Sequence, residues 1–188
     1  MSYYSSHRLR LAIRTLRQGG VIAYPTEAVY GLGCDPWNAA AVQRLLALKN
    51  RSVRKGLIVI AAEIAQLTPF LRQLADAQDA EMLASWPGPH TWLLPVRATT
   101  PRWLTGDFET LAVRVTAHPL AAALCRHYGG AIVSTSANRA QRRPARTALQ
   151  LRRALGQQPD YCLIGQCGSS RQPSTIRDGR SGQLVRGA

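Results

Sequence analysis

Apolar positions along this chain follow two alternating periods. Leu9, Ala12, Ile13 and Leu16 share one helical face, and Gly19-Gly20 supplies a stop, so the first twenty residues predict a helix. "VIAY" (21–24) reads as a strand. "AAAVQRLLALK" (39–49) reads as a helix with Val42, Leu45, Leu46 and Leu48 inward, after a turn at Pro36 and Asn38. "LIVIAA" (57–62) is a strand with no polar face, as expected when both faces are buried. Residues 63–85 predict a helix broken near Pro69, and "WPGPH" a turn. "TWLLPV" and "LAVRV" are strands flanking a loop over 97–110. Residues 118–130 predict a helix with a glycine stop, "AIVSTSAN" (131–138) a strand running into a polar loop, and 147–156 a helix. "YCLIG", "STIRD" and "QLVRG" are short strands near the C-terminus.

Interleaved strands and helices predict an α/β fold with a twisted, mixed sheet and flanking helices. With 188 residues the chain is expected to form one domain, 1–188. A chain of that size buries roughly 70% of its unfolded surface and needs no disulfide or metal to fold. No apolar run approaches the ~20 residues that span a bilayer. The Ser- and Arg-rich start has a transit-peptide character, but its single apolar face and the strand behind it favour the first helix of the fold. A cytoplasmic location is the default expectation. Cys34, Cys125, Cys162 and Cys167 make no C-x-x-C pair, and His7, His90, His118 and His127 make no zinc motif. Reduced cysteines and no metal cage are expected.

The formal charge is +14, a field that attracts polyanions. An arginine-favouring genome would also produce it. Only Lys49 and Lys55 are lysines, so 22 of the 24 basic residues are arginine. Both fall in "KNRSVRK" (49–55), with Arg51 and Arg54, directly before the buried strand. Lysine is a compact point charge and arginine a planar fork, so this placement is read as a phosphate clamp. The structural alternative is Lys49 at a helix end, answering the dipole.

Three further places could carry chemistry. "STSAN" (134–138) offers hydroxyls, an amide and backbone N–H groups for phosphate oxygens, or simply a capped turn. In "YPTEAVYGLGCD" (24–35), Thr26 could bond a ligand, while the glycines point to close backbone approach or positive φ. Arg114 interrupts an apolar strand and needs an anion, either a ligand or an internal partner, Glu27 or Glu109. There is no Walker loop and no acidic cluster. Cations, hydroxyls and one amide stabilise negative charge, which suits phosphoryl or nucleotidyl transfer.

Together these segments resemble the YrdC-like family, whose hallmark is K-x-R followed by S-x-N. Here those are Lys49-Asn50-Arg51 and Ser136-Ala137-Asn138, and "YPTEAVYGLGCDP", "WPGPHTWLLP", "TTPRWLTG" and "LAVRVTAHPL" match in order over nearly the whole chain. The resemblance implies a sheet curled around a basic concave cavity. It implies that ATP, L-threonine and bicarbonate are condensed to threonylcarbamoyl-AMP with release of pyrophosphate, Mg²⁺ on the phosphates sharing the charge. That product opens the route to threonylcarbamoyladenosine at position 37 of tRNA, through a separate transferase complex. By motif position, Thr26, Arg114, Ser134 and Ser174 would contact threonine. Arg51, Lys55, Thr110, Ser136 and Arg186 would contact ATP, with Asn138 on the same side. Lys49, Arg51 and Lys55 would be catalytic.

Two departures stand out. Ser52 occupies a position where the family commonly has proline, and Arg139-Ala140-Gln141 replaces a frequent Ser-Gly pair. The four arginines of 139–146 are expected to grip phosphates by charge instead. An alternative from another class is a non-catalytic protein binding tRNA or rRNA through its basic face.

Overall fold

The computed structural model describes residues 6–72, 79–139, 142–155, 158–170 and 172–187. Nine strands are present among them: β1 (Ile22–Pro25), β2 (Tyr30–Gly33), β3 (Ile58–Ala61), β4 (His90–Pro95), β5 (Thr110–Val115), β6 (Ile132–Ser136), β7 (Tyr161–Cys162), β8 (Thr175–Asp178) and β9 (Leu184–Arg186). They join one sheet in the order β7-β1-β2-β6-β3-β5-β4-β8-β9. β1/β7, β3/β5 and β4/β8 pair in parallel and the rest antiparallel, so the sheet is mixed as expected. The helices are α1 (Ser6–Arg17), α2 (Ala39–Lys49), α3 (Asp79–Ala84), α4 (Arg102–Thr105), α5 (Pro119–Tyr128) and α6 (Ala148–Ala154).

Alternation along the strands sorts the core into two layers. Val59, Ala61, Val113 and Val133 pack with Val42, Leu45, Leu46 and Leu48 of α2. Ile22, Tyr24, Ile60 and Ile132 face the other way, onto Leu9, Ile13 and Leu16 of α1 and Leu120 and Leu124 of α5. The second layer is incomplete. α1 and α5 cover Ile60 and Ile132, but one step along each strand lie Ile58 and Ser134, which line a cavity instead.

Besides the short helix α4 inside the expected loop over 97–110, two segments differ from the sequence pattern. The stretch after β3 begins with a single 3-10 turn (Ile64–Gln66) and an isolated bridge at Leu71, not a long helix. The Gln66 side chain is used locally, accepting from Ala62 N and donating to Cys125 O. Residues 73–78 of the expected helix lie outside the described residues, and its last part forms α3. The second difference is β2, which pairs with β1 as a hairpin where the apolar pattern marked no strand. Gly31 and Gly33 are strand residues and do not take positive φ. They are needed for close approach. A Cβ on Gly33 would lie 2.7 Å from Val133 O and 2.8 Å from Tyr24 Cε1. Gly33→Ala is therefore expected to cost about 1–3 kcal/mol, read as a lower urea midpoint.

Candidate active site

The cavity, about 400 Å³, opens on the half of the sheet face that α1 and α5 leave bare. One row across the sheet forms its floor: Ser134 of β6, Ile58 of β3, Ala112 of β5 and Leu93 of β4 are successive cross-strand partners. Thr110 and Arg114 lie two residues either side of Ala112, so period two puts all three on this face. β6 delivers Ser134 from its middle and Ser136 from its carboxyl end. β3 and β5 run the opposite way to β6; β3 contributes Ile58 from its amino end, and β5 contributes Thr110, Ala112 and Arg114 along most of its length.

Nine of the eleven residues singled out from the sequence line this cavity: Thr26, Arg51, Lys55, Thr110, Arg114, Ser134, Ser136, Ser174 and Arg186. Lys49 and Asn138 do not line it, although the hallmark places them beside Arg51 and Ser136. Asn38 caps the start of α2 through Ala41 N (3.0 Å), and Asn50 ends the helix at φ 49. Lys49 is thereby the last helical residue, 4% exposed. Its Nζ donates to Ser136 O and, at 2.9 Å, to Asn138 O. The Asn138 amide donates to Arg139 O (2.9 Å) and Arg142 O (2.5 Å). The hallmark thus divides into two pairs. Arg51 and Ser136 face the cavity, while Lys49 and Asn138 brace the loop that carries Ser136. Lys49, expected to be catalytic, does not line the cavity, and two of its three ammonium donors go to backbone carbonyls.

The residues between Arg51 and β3 form a single 3-10 turn, Val53–Lys55. Ser52 caps it, accepting from Arg54 N at 3.3 Å, and has φ −63. That is the value proline would impose, so serine replaces proline here without a change of path. Arg51 Nη2 donates to Gly56 O (3.0 Å), and its Nε is buried without a partner. The Arg54 side chain pairs with Asp107 at 2.7 Å and leaves the cavity. Lys55 is exposed and lines it; no hydrogen bond to its Nζ occurs among the described residues. Among the described residues of loop 139–146, Pro144 lines the cavity, and Arg146 donates to Ser170 O (3.1 Å).

At the other end Arg114 is 7% exposed. Its guanidinium makes no hydrogen bond among the described residues, and its Nε is buried and unpartnered. Of the two internal partners the sequence allowed, Glu27 is the one found, with Oε2 3.4 Å from Arg114 Nη2. Glu27 Oε1 accepts from Thr116 Oγ1 (2.6 Å) and Ala117 N (3.2 Å). Burial alone would raise the Glu27 pKa, but Arg114 and the Thr116 hydroxyl outweigh it and hold the carboxyl below its usual range. Thr26 Oγ1 donates to Val29 O (2.7 Å), leaving that oxygen only as an acceptor. Ser174 Oγ accepts from Thr91 Oγ1 (3.0 Å) and keeps its own proton to donate.

The cations repel one another. Burial, then Arg186, pull the Arg51 pKa down; burial, then Arg114, do the same to Arg186. Arginine stays charged in a protein, so Arg51 and Arg186 are held close with no acid partner among the described residues, while Arg114 has Glu27. Burial, then Arg51, also bring Lys49 to about 8. Sequence reasoning assigned Glu27 only as a conceivable partner. It missed the apolar lining of Leu93, Leu104, Ile176 and Val185 and the exposed Phe108. Only the position of Glu27 next to Thr26 carried any signal.

The family model described as telomere recombination, Sua5/YciO/YrdC, matches residues 14–188. The chain belongs to the Sua5/YciO/YrdC family. Among its relatives in that family is a threonylcarbamoyl-AMP synthase from Nitrosococcus oceani, 58% identical over 179 residues, which cover 95% of this chain and 97% of that one. One of the same name from Halorhodospira halophila is also 58% identical, with 95% and 94% covered. Sua5 from P. abyssi, solved in complex with L-threonine, superposes with a TM-score of 0.86 at 32% identity. The match covers 95% of this chain and 53% of that one, so the chain spans about half the length of that Sua5. E. coli YciO, at 24% identity and a TM-score of 0.81, shares the fold. Among the described residues no helix is long and apolar enough to cross a membrane, and no cluster of three His, Cys, Asp or Glu is placed to hold a metal ion.

Proposed function

We propose that this chain is an ATP-dependent nucleotidyltransferase that makes threonylcarbamoyl-AMP from L-threonine, bicarbonate and ATP and releases pyrophosphate. The observation that carries this is the run of cations Lys55, Arg51, Arg186 and Arg114 around one cavity, with Glu27 the one acid lining it among the described residues. Unpaired cations held this close call for a polyanion, and a strand-borne guanidinium with free donors calls for a carboxylate. ATP and an amino acid supply one each.

Neutral threonine amine attacks the bicarbonate carbon, and loss of water leaves a carbamate. A carbamate oxygen then attacks the α-phosphorus, the bond to the bridging oxygen breaks, and pyrophosphate leaves. All the reacting groups are anionic, so Arg51 and Lys55 act by offsetting their repulsion. Ser134 and Ser136 donate to substrate oxygens from β6. Arg114 takes the threonine carboxylate, with Thr26 and Ser174 on the same side. Thr110 and Arg186 line the nucleotide side. Mg²⁺ would supply further charge neutralisation at the phosphates; no acidic cluster among the described residues is placed to hold it, so it would be carried by the triphosphate. The adenylate is handed to a separate transferase complex acting on tRNA.

Pyrophosphate release from ATP, measured with and without L-threonine and bicarbonate, tests this. Release that requires both is the expected result. No release, with tight RNA binding that falls steeply with salt, would replace the enzyme with an RNA-binding protein.

A further inference from the structure

The function proposed above requires two different anions to share one cavity without exchanging places. A triphosphate must stop short of Arg114, and the amino-acid carboxylate must reach it. Shape alone does not separate them. Arg51, Arg186 and Arg114 all line the one cavity, so cations are available at both of its ends. Phosphate oxygens satisfy an arginine fork as well as a carboxylate does.

One lining residue breaks the run. Glu27 stands beside Arg114, and the remaining charged residues of the lining, Arg51, Lys55 and Arg186, are all cations. Its carboxylate cannot easily swing away. Oε1 is tied to the Thr116 hydroxyl and Ala117 N at the end of β5. The Glu27 backbone is also packed against residue 168, where a Cβ would lie 2.6 Å from Glu27 O. Glu27 reaches Arg114 only through the 3.4 Å approach to Nη2. The guanidinium therefore keeps free donors, including the buried Nε, while the local charge is cancelled.

We infer that Glu27 is a specificity-determining residue: it neutralises the Arg114 end of the cavity, reserving that end for a net-neutral amino acid and excluding phosphate-type anions. A zwitterion adds no net charge to a neutral pair and can still pair its carboxylate with the guanidinium. A phosphate brings net negative charge beside Glu27, and like-charge juxtaposition is how sites reject wrong partners. The inference rests on the amino-acid reading of the Arg114 end.

The test is calorimetric titration of L-threonine into the whole chain without nucleotide, in the absence and presence of saturating inorganic phosphate. In the wild type, phosphate is expected to shift threonine affinity less than about twofold, because it settles at the other end. In Glu27→Gln, phosphate is expected to weaken threonine binding by about tenfold or more. A Glu27→Gln protein as insensitive to phosphate as the wild type overturns the inference. So does a folded Glu27→Gln protein that no longer binds threonine at all, since Glu27 would then be a direct ligand. A second measurement needs no variant. 3-Hydroxybutanoate, which is threonine without its ammonium, is expected to bind the wild type at least about tenfold more weakly than threonine. Equal binding overturns the inference. A wild type that binds no threonine overturns the proposed function, and the inference with it.

Discussion

Lys49→Ala is expected to destabilise the fold by about 2–4 kcal/mol, the cost of leaving two buried carbonyls without donors. Lys49 is 4% exposed and its ammonium holds Ser136 O and Asn138 O, so the β6 loop loses the tie that fixes Ser136 at the cavity. Lys49→Met keeps most of the stem but not the donors. It should lose nearly as much, which separates hydrogen bonding from packing. Urea midpoints at constant slope measure both. Activity should fall in step with the displaced loop and should not return with excess ATP. A Lys49→Ala protein with an unchanged midpoint and abolished turnover would instead place the ammonium in the chemistry.

Lys55→Ala is expected to do the reverse. The side chain is exposed and makes no hydrogen bond through Nζ among the described residues, so stability should change by no more than about 0.5 kcal/mol. Turnover should drop by about 10²–10³-fold, the usual consequence of removing one preorganised group that faces developing charge. Threonine-dependent pyrophosphate release measures the loss. Lys55→Arg should recover only part of it, because a planar fork replaces a point charge. The two lysines of the chain would then have opposite signatures, one in the denaturant curve and one in the rate. Equal and small effects of Lys55→Ala on both would remove it from the catalytic group.

The elements were legible where a strong local period met a clear stop. α2 spans the residues that the apolar spacing and the turn at Pro36 and Asn38 marked out, and the inward face of α1 is the predicted one. The segment after β3 was not legible, because Gln66 divides its amide between a local turn at Ala62 and Cys125, 59 residues on. β2 was hidden for a related reason. Its glycines allowed close approach or positive φ, and only Val133 and Tyr24 pressing against Gly33 decide for the first.

The candidate site divides along the same line. Sequence by itself determined the fold class and the basic character, because composition and periodicity are local properties. The family resemblance marked eleven residues, of which nine line the cavity. Tertiary structure alone decided what each is free to do. A lysine is a ligand or a brace according to which carbonyls lie within reach of its Nζ, and Lys49 and Lys55 cannot be told apart before β6 is placed beside α2. Likewise Glu27 and Arg114 are 87 residues apart (114 − 27) yet only 3.4 Å apart across the cavity. Their charges cancel through distance in space, and a chain written in one dimension does not contain that distance.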